Sequence, residues 1–357
     1  MRILHIITSL HTGGAEHLMI DLLPRLREHG HDVELLLFDG TRTPFFRQLE
    51  EQGIKIHSLS EGQRAQHNPF LVFALHRWMK SFDIVHTHNT PCQMLAAAAS
   101  YGTRCRLFTT EHSTDNRRRG KWYWKPVDRW MYRCYETVVC CSHDTETVLR
   151  AALNITGDNN RPKITTISNG IDTRRFAQAG VTRREPDGKV RIIMVAAFRQ
   201  GKLHDVLIKA MNMLPANYEL WLVGQGDTMD ANCRLVESLG LEKRVSFWGV
   251  RMDVPELLQQ SDIIALATHH EGLSLSSLEG MASGRPFLGS NVSGLRDIVC
   301  GAGVLVDNTP EAWAEAIRRI ATDKDEYRHV AELCQRRAAE YDVSAMADAY
   351  AAVYKKK

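Results

Sequence analysis

Two glutamates eight residues apart, Glu271 and Glu279, bracket the run Gly272-Leu273-Ser274-Leu275-Ser276-Ser277-Leu278. Ionised carboxylates accept strong hydrogen bonds from hydroxyl groups. The run comes after a strand-like segment and opens a helix that reads to about Ser283, where Gly284 ends it and Pro286 prevents its continuation. The start of a helix presents unpaired N–H groups and a partial positive charge, which suits a diphosphate. At about 1.5 Å per residue the two carboxylates are offset by roughly 8–12 Å along the axis. One elongated ligand could then meet Glu271 with sugar hydroxyls and Glu279 with ribose hydroxyls. Its diphosphate would lie against the segment Gly272, Leu273, Ser274 and Leu275. Two plainer readings stay open. Ser276-x-x-Glu279 fits a capping box, and Glu271 fits a solvated loop acid.

A departing nucleoside diphosphate needs fixed cations to meet its developing charge. Arg199 and Lys202, in Ala197-Phe198-Arg199-Gln200-Gly201-Lys202 after a strand-like run, are the candidates, against the alternative of a solvated basic loop. Gly13 and Gly14 come after the first strand. Glycines there let backbone approach a phosphate, and the next helix adds its field. The third glycine of a dinucleotide fingerprint is missing, and a tight strand–helix turn explains the pair equally well. His112 and His88 lie at the carboxyl ends of strand-like runs, where ligands gather in open α/β sheets. His88 is expected to shape a cleft or an acceptor site. His86-x-His88 and His269-His270 lack a clear third ligand, so no metal is expected. Base recognition is expected from backbone near Gly249-Val250-Arg251, with Val250 as a donor contact.

These motifs together resemble the retaining glycosyltransferases of family four, which have the GT-B fold. The resemblance rests on Gly13-Gly14-Ala15-Glu16, Asp83-Ile84-Val85-His86-Thr87-His88, Thr110-Glu111-His112, Ser168-Asn169-Gly170-Ile171-Asp172, Val223-Gly224-Gln225-Gly226 and the Glu-x7-Glu segment, in that order along nearly the whole chain. It implies that Glu271 contacts the donor sugar and Glu279 the ribose, that His112 touches the donor sugar, and that the Gly13-Gly14 loop faces the cleft near the donor phosphates and the acceptor. Family members usually carry an Arg where this chain has Ala197, and Arg199 is expected to compensate. The implied activity is transfer of a hexose or N-acetylhexosamine from a nucleotide sugar to a glycan or lipid-linked acceptor, with retention and without a metal or other cofactor. Catalytic roles then fall to His112, Lys202 and Glu271. A nucleotide-sugar epimerase and a non-catalytic nucleotide-sugar-binding protein are the competing readings.

The elements that must position these residues alternate. Arg2–Thr8, Asp32–Phe38, Ile54–His57, Asp83–Thr87, Arg106–Thr110 and Thr137–Cys141 read as strands, with helices such as Ala15–His29 and Pro91–Ser100 between them. Near-continuous apolar strands fit a parallel sheet buried on both faces. The pattern restarts after a polar, turn-rich stretch from Thr182 to Lys189. Strands then read at Val190–Ala196, Glu219–Val223, Val245–Trp248, Ile263–Ala267 and Pro286–Gly289, with helices at Lys202–Met213 and Asp227–Leu239. This predicts an α/β chain of two Rossmann-like domains in series, 1–175 and 176–340, with a last helix at about 341–357 returning to the first; the resemblance implies that they face a central cleft, the first for the acceptor and the second for the donor.

Composition sets the outer limits. The chain has 357 residues, 44% hydrophobic and 24% charged, which is ordinary for a globular protein able to bury a core. No apolar run is long enough to span a bilayer and no export signal is evident, so a cytoplasmic location is expected. The eight cysteines form no CxxC pair and read as reduced thiols. Residues 1–180 carry 23 Lys and Arg against 18 Asp and Glu, and the remainder 22 against 24, so an anionic partner is expected on the first half. Arg117-Arg118-Arg119-Gly120-Lys121-Trp122-Tyr123-Trp124-Lys125, followed by Arg129, Trp130, Tyr132 and Arg133, suits an anionic membrane surface and so a lipid-linked acceptor. The alternative is a helix that packs its Trp face on the core. Nothing accompanies the basic patch that marks a nucleic-acid-binding fold, so no nucleic-acid partner is expected.

Overall fold

The computed structural model describes residues 1–11, 13–62, 68–112, 121–157, 161–177, 187–271 and 274–355. The chain forms two compact units, Met1–Gly170 with Val343–Lys357, and Ile171–Asp342.

In the first unit seven strands form one parallel sheet: β1 (Arg2–Ile7), β2 (Asp32–Leu37), β3 (Lys55–Ser58), β4 (Ile84–His88), β5 (Arg106–Glu111), β6 (Thr137–Cys140) and β7 (Lys163–Thr166), in the order β3-β2-β1-β4-β5-β6-β7. Side chains alternate between faces along each strand, and both faces are covered. Ile3 and Ile7 of β1 join one core with the helices Gly14–Glu28 and Val343–Lys355. Leu4 and Ile6 join the other, with Leu75, Met79 and Tyr135. The closing helix buries Val343, Met346, Tyr350 and Tyr354. Val343 and Met346 each contribute on the order of 1.5–3 kcal/mol by leaving water. Arg106 adds a cap by donating to the Tyr354 carbonyl at 2.6 Å.

The second unit repeats the plan with six strands: β8 (Val190–Val195), β9 (Tyr218–Val223), β10 (Val245–Gly249), β11 (Ile263–Leu266), β12 (Phe287–Ser290) and β13 (Val304–Val306). They pair in parallel as β10-β9-β8-β11-β12-β13. In both sheets the winding reverses beside the first strand, between β1 and β4 and between β8 and β11. Carboxyl ends flanking such a reversal are where open α/β sheets bind ligands.

The units divide at Gly170, five residues before the expected boundary. The reason is local. Ile171 donates to the Tyr341 carbonyl at 3.0 Å, Thr173 donates through its hydroxyl to Asp342, and Phe176 is buried in the second core. Most of the expected linker at 182–189 lies outside the described residues, and Asp187 to Lys189 lead directly into β8. No helix among the described residues is long and apolar enough to cross a membrane.

Candidate active site

In the second unit, the nominated residues sit on loops after neighbouring strands at one end of the sheet. Arg199 and Lys202 come after β8, Gly224 and Gly226 after β9, Val250 after β10, and Glu271 and Ser274 after β11. Gly272 and Leu273 lie outside the described residues.

Lys202 departs from the sequence expectation. It is not the first residue of a helix, because the helix begins at His204. Lys202 instead bridges to Thr268 as an isolated antiparallel pair, and Leu203 donates to the Ala267 carbonyl at 2.9 Å. His269 donates to Gly201 O at 2.8 Å, and the Thr268 hydroxyl donates to the same carbonyl at 3.1 Å. Thr268 is held in turn from behind. Its amide donates to Ser290 Oγ, and its carbonyl accepts from Asn308 Nδ2 at 2.9 Å. This lacing of two loops across the winding reversal brings Lys202 Nζ onto Glu271 Oε1 as a buried ion pair, with side-chain exposures of 8% and 9%. Burial pulls the Lys202 ammonium down to about 7, and the Arg199 charge adds to the fall. The Glu271 carboxylate in contact works against it. Glu271 is therefore no solvated loop acid. Arg199 is exposed, as is Ala197.

The helix Leu275–Ala282 starts just after Glu271, with Ser274 at its N-cap position. Ser274 makes no capping bond to the backbone. Its hydroxyl pairs with that of Ser276 at 3.0 Å, and Ser277 Oγ donates to the Ser274 carbonyl at 2.6 Å. The first-turn amides of Leu275 and Ser276 have no intrahelical acceptor, and no side chain at the N-cap covers them. The capping box between Ser276 and Glu279 does not form, because Ser276 lies inside the helix. Gly280 lets the helix sit close on the sheet. A Cβ there would lie 2.7 Å from Ile264 Cγ2 of β11 and 3.1 Å from Phe287 of β12. Glu279 is 8% exposed, and burial raises its carboxyl to about 7 with Arg175 acting in the opposite direction.

Gly224 and Gly226 have φ of +142° and +153°. A side chain at either would overlap the backbone of Ala196 or Phe198. The two glycines let the loop after β8 cross the loop after β9, where Phe198 donates to the Gln225 carbonyl at 3.0 Å. Val250, 49% exposed, comes after Gly249 at φ +62°. Beside it Arg251 lies 5.3 Å over the Trp248 ring and pairs with Asp253 at 2.7 Å.

In the first unit Gly13 and Gly14 begin the helix after β1. Gly13 is the N-cap in extended conformation, φ −173°, which any residue adopts. What favours glycine there is the Glu16 carboxylate, which occupies the space a Cβ would take. Burial raises the Glu16 pKa. Glu16 lies in the first turn, where the positive field of its own helix favours the ionised form and opposes that rise.

His112 is half-buried at the end of β5 and hydrogen-bonds through Nε2 to His88 Nδ1 at 3.0 Å. His88 is fully buried, so its ring lies behind His112 rather than at a surface. His88 Nε2 meets His5 Nδ1 at 3.0 Å. His86 stacks on both rings and joins Tyr354 OH and Thr110 Oγ1 at 2.7 Å each. Burial lowers His112 to about 4 and His5 to about 3, and carries His88 well below its ordinary value. Among the described residues no three His, Cys, Asp or Glu side chains are placed to share a metal ion.

Arg117, Arg118, Arg119 and Gly120 lie outside the described residues. Beyond them the chain forms a turn, Trp122–Trp124, and the helix Lys125–Arg133. Met131 and Tyr132 face the core, whereas Trp122, Tyr123 and Trp130 are 80%, 53% and 44% exposed. The tryptophans do not form the helix's core face. Arg129, Arg133 and Arg161 line a concavity of about 320 Å³ with Asn154, and no ion pair joins them to another described residue. With its amide oxygen turned inward, Asn154 accepts from Arg129 at 2.8 Å.

Comparison with known proteins gives one answer along the chain. The model described as Glycosyltransferase Family 4 matches residues 12–175, and that described as Glycosyl transferases group 1 matches 181–337. The N-acetyl-alpha-D-glucosaminyl L-malate synthase of Bacillus anthracis is 26% identical over 80% of this chain and 78% of its own. The UDP-Gal:alpha-D-GlcNAc-diphosphoundecaprenol alpha-1,3-galactosyltransferase of Escherichia coli is 26% identical over 71% and 70%. The crystal structure of Anabaena Alr3699/HepE in complex with UDP-glucose superposes with a TM-score of 0.84 at 22% identity, covering 99% of this chain and 98% of that one. The two doubly wound units are thus those of the GT-B fold.

Proposed function

The chain belongs to the family-four glycosyltransferases, and on that footing we propose that it transfers a hexose or N-acetylhexosamine from a uridine diphosphate sugar with retention at the anomeric carbon. The observation that carries this reading is the buried Lys202–Glu271 pair set immediately before an uncapped helix whose second turn holds the buried Glu279. Glu271 accepts from sugar hydroxyls and Glu279 from the ribose. The diphosphate rests on the amides that open the helix Leu275–Ala282, with the segment Gly272 to Leu275 around it. Lys202 and the exposed Arg199 meet the charge that grows on the leaving diphosphate. The choice of uridine rests on the UDP and UDP-glucose of the structural neighbour and the UDP-Gal of the Escherichia coli relative.

The acceptor hydroxyl attacks from the face that the diphosphate leaves. The C–O bond to the diphosphate breaks as the new glycosidic bond forms, and the hydroxyl proton passes to the departing phosphate oxygen. Positioning and electrostatics supply the catalysis. No metal enters, because the helix N-terminus and the two cations take the place of one. His112 donates a hydrogen bond to the donor sugar, and backbone beside Val250 meets the base. The loop of Gly13 and Gly14 borders the donor phosphates and the acceptor.

The acceptor we propose is a lipid-linked saccharide, reached at the cytoplasmic face of an anionic membrane. The exposed Trp122, Tyr123 and Trp130, beside the cations Arg129, Arg133 and Arg161, support this. Incubation with UDP-hexoses and a lipid-linked acceptor, in the presence of EDTA, should give a product with the donor's anomeric configuration. Glu271→Ala should fold and lose transfer. Inverted product, or full activity in that variant, sinks the reading. A sugar isomer formed from donor alone would favour epimerisation instead. Replacing Arg129, Arg133 and Arg161 with Ala should weaken binding to phosphatidylglycerol vesicles, and unchanged binding would remove the membrane from the account.

A further inference from the structure

His5 lies on β1 and pairs in register with His86 on β4, and His88 lies two residues further along β4. Period-two alternation therefore puts all three on one face of the sheet. There the rings stack, with His5 and His86 centroids 5.2 Å apart and His86 and His88 centroids 4.8 Å apart. Within the stack runs a chain of two nitrogen-to-nitrogen hydrogen bonds, His112 Nε2 to His88 Nδ1 and His88 Nε2 to His5 Nδ1, each 3.0 Å. His5 Nε2, at the far end, is buried with no partner. His112, at the near end, is half-buried, and its Nδ1 bonds to no described residue.

Burial keeps all three rings neutral near pH 7, and a neutral imidazole has one donor and one acceptor. Each contact in the chain therefore holds one proton, so the three tautomers are coupled and two arrangements exist. In the first, His112 Nε2 and His88 Nε2 carry protons, which forces His5 to carry its own on Nε2. That places an orphan N–H in an apolar interior, a feature that folded proteins avoid. In the second, His5 Nδ1 donates to His88 and His88 Nδ1 donates to His112. His5 then buries a bare lone pair, and His112 carries its proton on Nδ1. The chain has no outlet beyond His5, so it cannot conduct a proton through. Its effect is to fix a direction.

We propose that His88 and His5 are positioning residues that present His112 to the substrate as its Nδ1–H tautomer, a hydrogen-bond donor to a sugar oxygen. The proposal rests on the reading of His112 as a donor-sugar contact and adds how that contact acquires its polarity. Neither His5 nor His88 touches substrate.

Long-range proton–nitrogen correlation on 15N-histidine-labelled enzyme reads the tautomer directly. The expected spectrum has a protonated Nδ1 and a bare Nε2 on His112. A proton on Nε2 of His112, or averaged shifts at both nitrogens in the wild type, overturns the proposal. In His5→Leu the shifts of His112 should average, and kcat/KM should fall about tenfold, the size of one lost hydrogen bond with its partner left unsatisfied. Tyr354→Phe, which takes a partner from His86 in the same stack, should lower stability without moving the His112 tautomer. The wild-type spectrum decides the matter even where His5→Leu fails to fold. Full activity in His112→Ala would sink the sugar contact itself, whereas an Nε2–H tautomer would sink the lock and leave the contact standing.

Discussion

Glu271→Gln removes one charge of the buried pair and leaves Lys202 with burial and Arg199 alone. Those two influences bring the ammonium from 10.5 to about 7. At about 1.4 kcal/mol per pH unit that fall amounts to roughly 5 kcal/mol of opposition to the charged form, at the upper end of the ~3–5 kcal/mol seen when a buried pair loses one partner. Between about pH 7 and 10.5 the folded variant holds Lys202 neutral while its unfolded chain still binds the proton. The unfolded state then carries more protons, so stability rises with pH across this window. In the wild type the Glu271 carboxylate in contact favours the charged form and offsets part of that opposition, so its rise is smaller. The deficit of the variant should thus be at most roughly 5 kcal/mol at pH 6.5 and at most roughly 2 kcal/mol at pH 9. Urea unfolding of both proteins at the two pH values, read at matched m-values, measures it. An equal deficit at both values, or none at either, would refute the claim that Lys202 depends on Glu271 for its charge. Lys202→Met combined with Glu271→Gln should recover much of the loss, because neither charge is then stranded.

Gly224→Ala forces a Cβ into the Ala196 carbonyl at φ +142° and should cost at least ~1–3 kcal/mol, seen as a lowered melting temperature; an unchanged one would mean that the loop after β8 can yield. Tyr354→Phe strands His86 Nδ1, and should cost about 1–3 kcal/mol in urea unfolding, with no loss if His86 is satisfied through Thr110 alone. His5, His88 and His112 have folded pKa values pushed below the ordinary 6.5 by burial. Their contribution to stability is therefore complete above about pH 6.5 and lost as pH falls toward about 4 and then about 3. The unfolding midpoint should drop steeply between pH 6.5 and 4, and His5→Leu should flatten that slope; an equally steep slope in the variant would remove His5 from the cause.

Much of the architecture was legible because its signals are local. Strands such as Arg2–Ile7 and Val190–Val195 are near-continuous apolar runs, and Leu18, Leu22 and Leu26 mark a helix face. The alternation of the two predicts a parallel sheet without any long-range information. The short edge strands Lys163–Thr166 and Val304–Val306 escaped, since runs of three or four residues carry little pattern. The nominated loops at the carboxyl ends came from the alternation too. Contacts that depend on register did not. Lys202 reads as the start of a helix because it precedes His204, and only the bridge to Thr268 turns it toward Glu271. His86-x-His88 was visible as a pair on one strand, but His5 joins them through a pairing 81 residues away, and nothing in its own neighbourhood marks it.

The electrostatics of the second unit bear on why the pair sits where it does. Without ligand, burial lowers the Lys202 pKa while Glu271 in contact favours its charged form, and Glu279 is pushed toward neutrality by burial. Two groups that would both be ionised in water are thus poised near a change of state beside a helix start that favours anions. Under the proposed function, a diphosphate arriving there would offer Lys202 a second partner and free the oxygens of Glu271 for hydroxyl donors. The binding of the phosphates and the recognition of the sugar would in that way be coupled through one ammonium. A site with a solvated lysine and a solvated glutamate would lack this coupling, because each would already be satisfied by water.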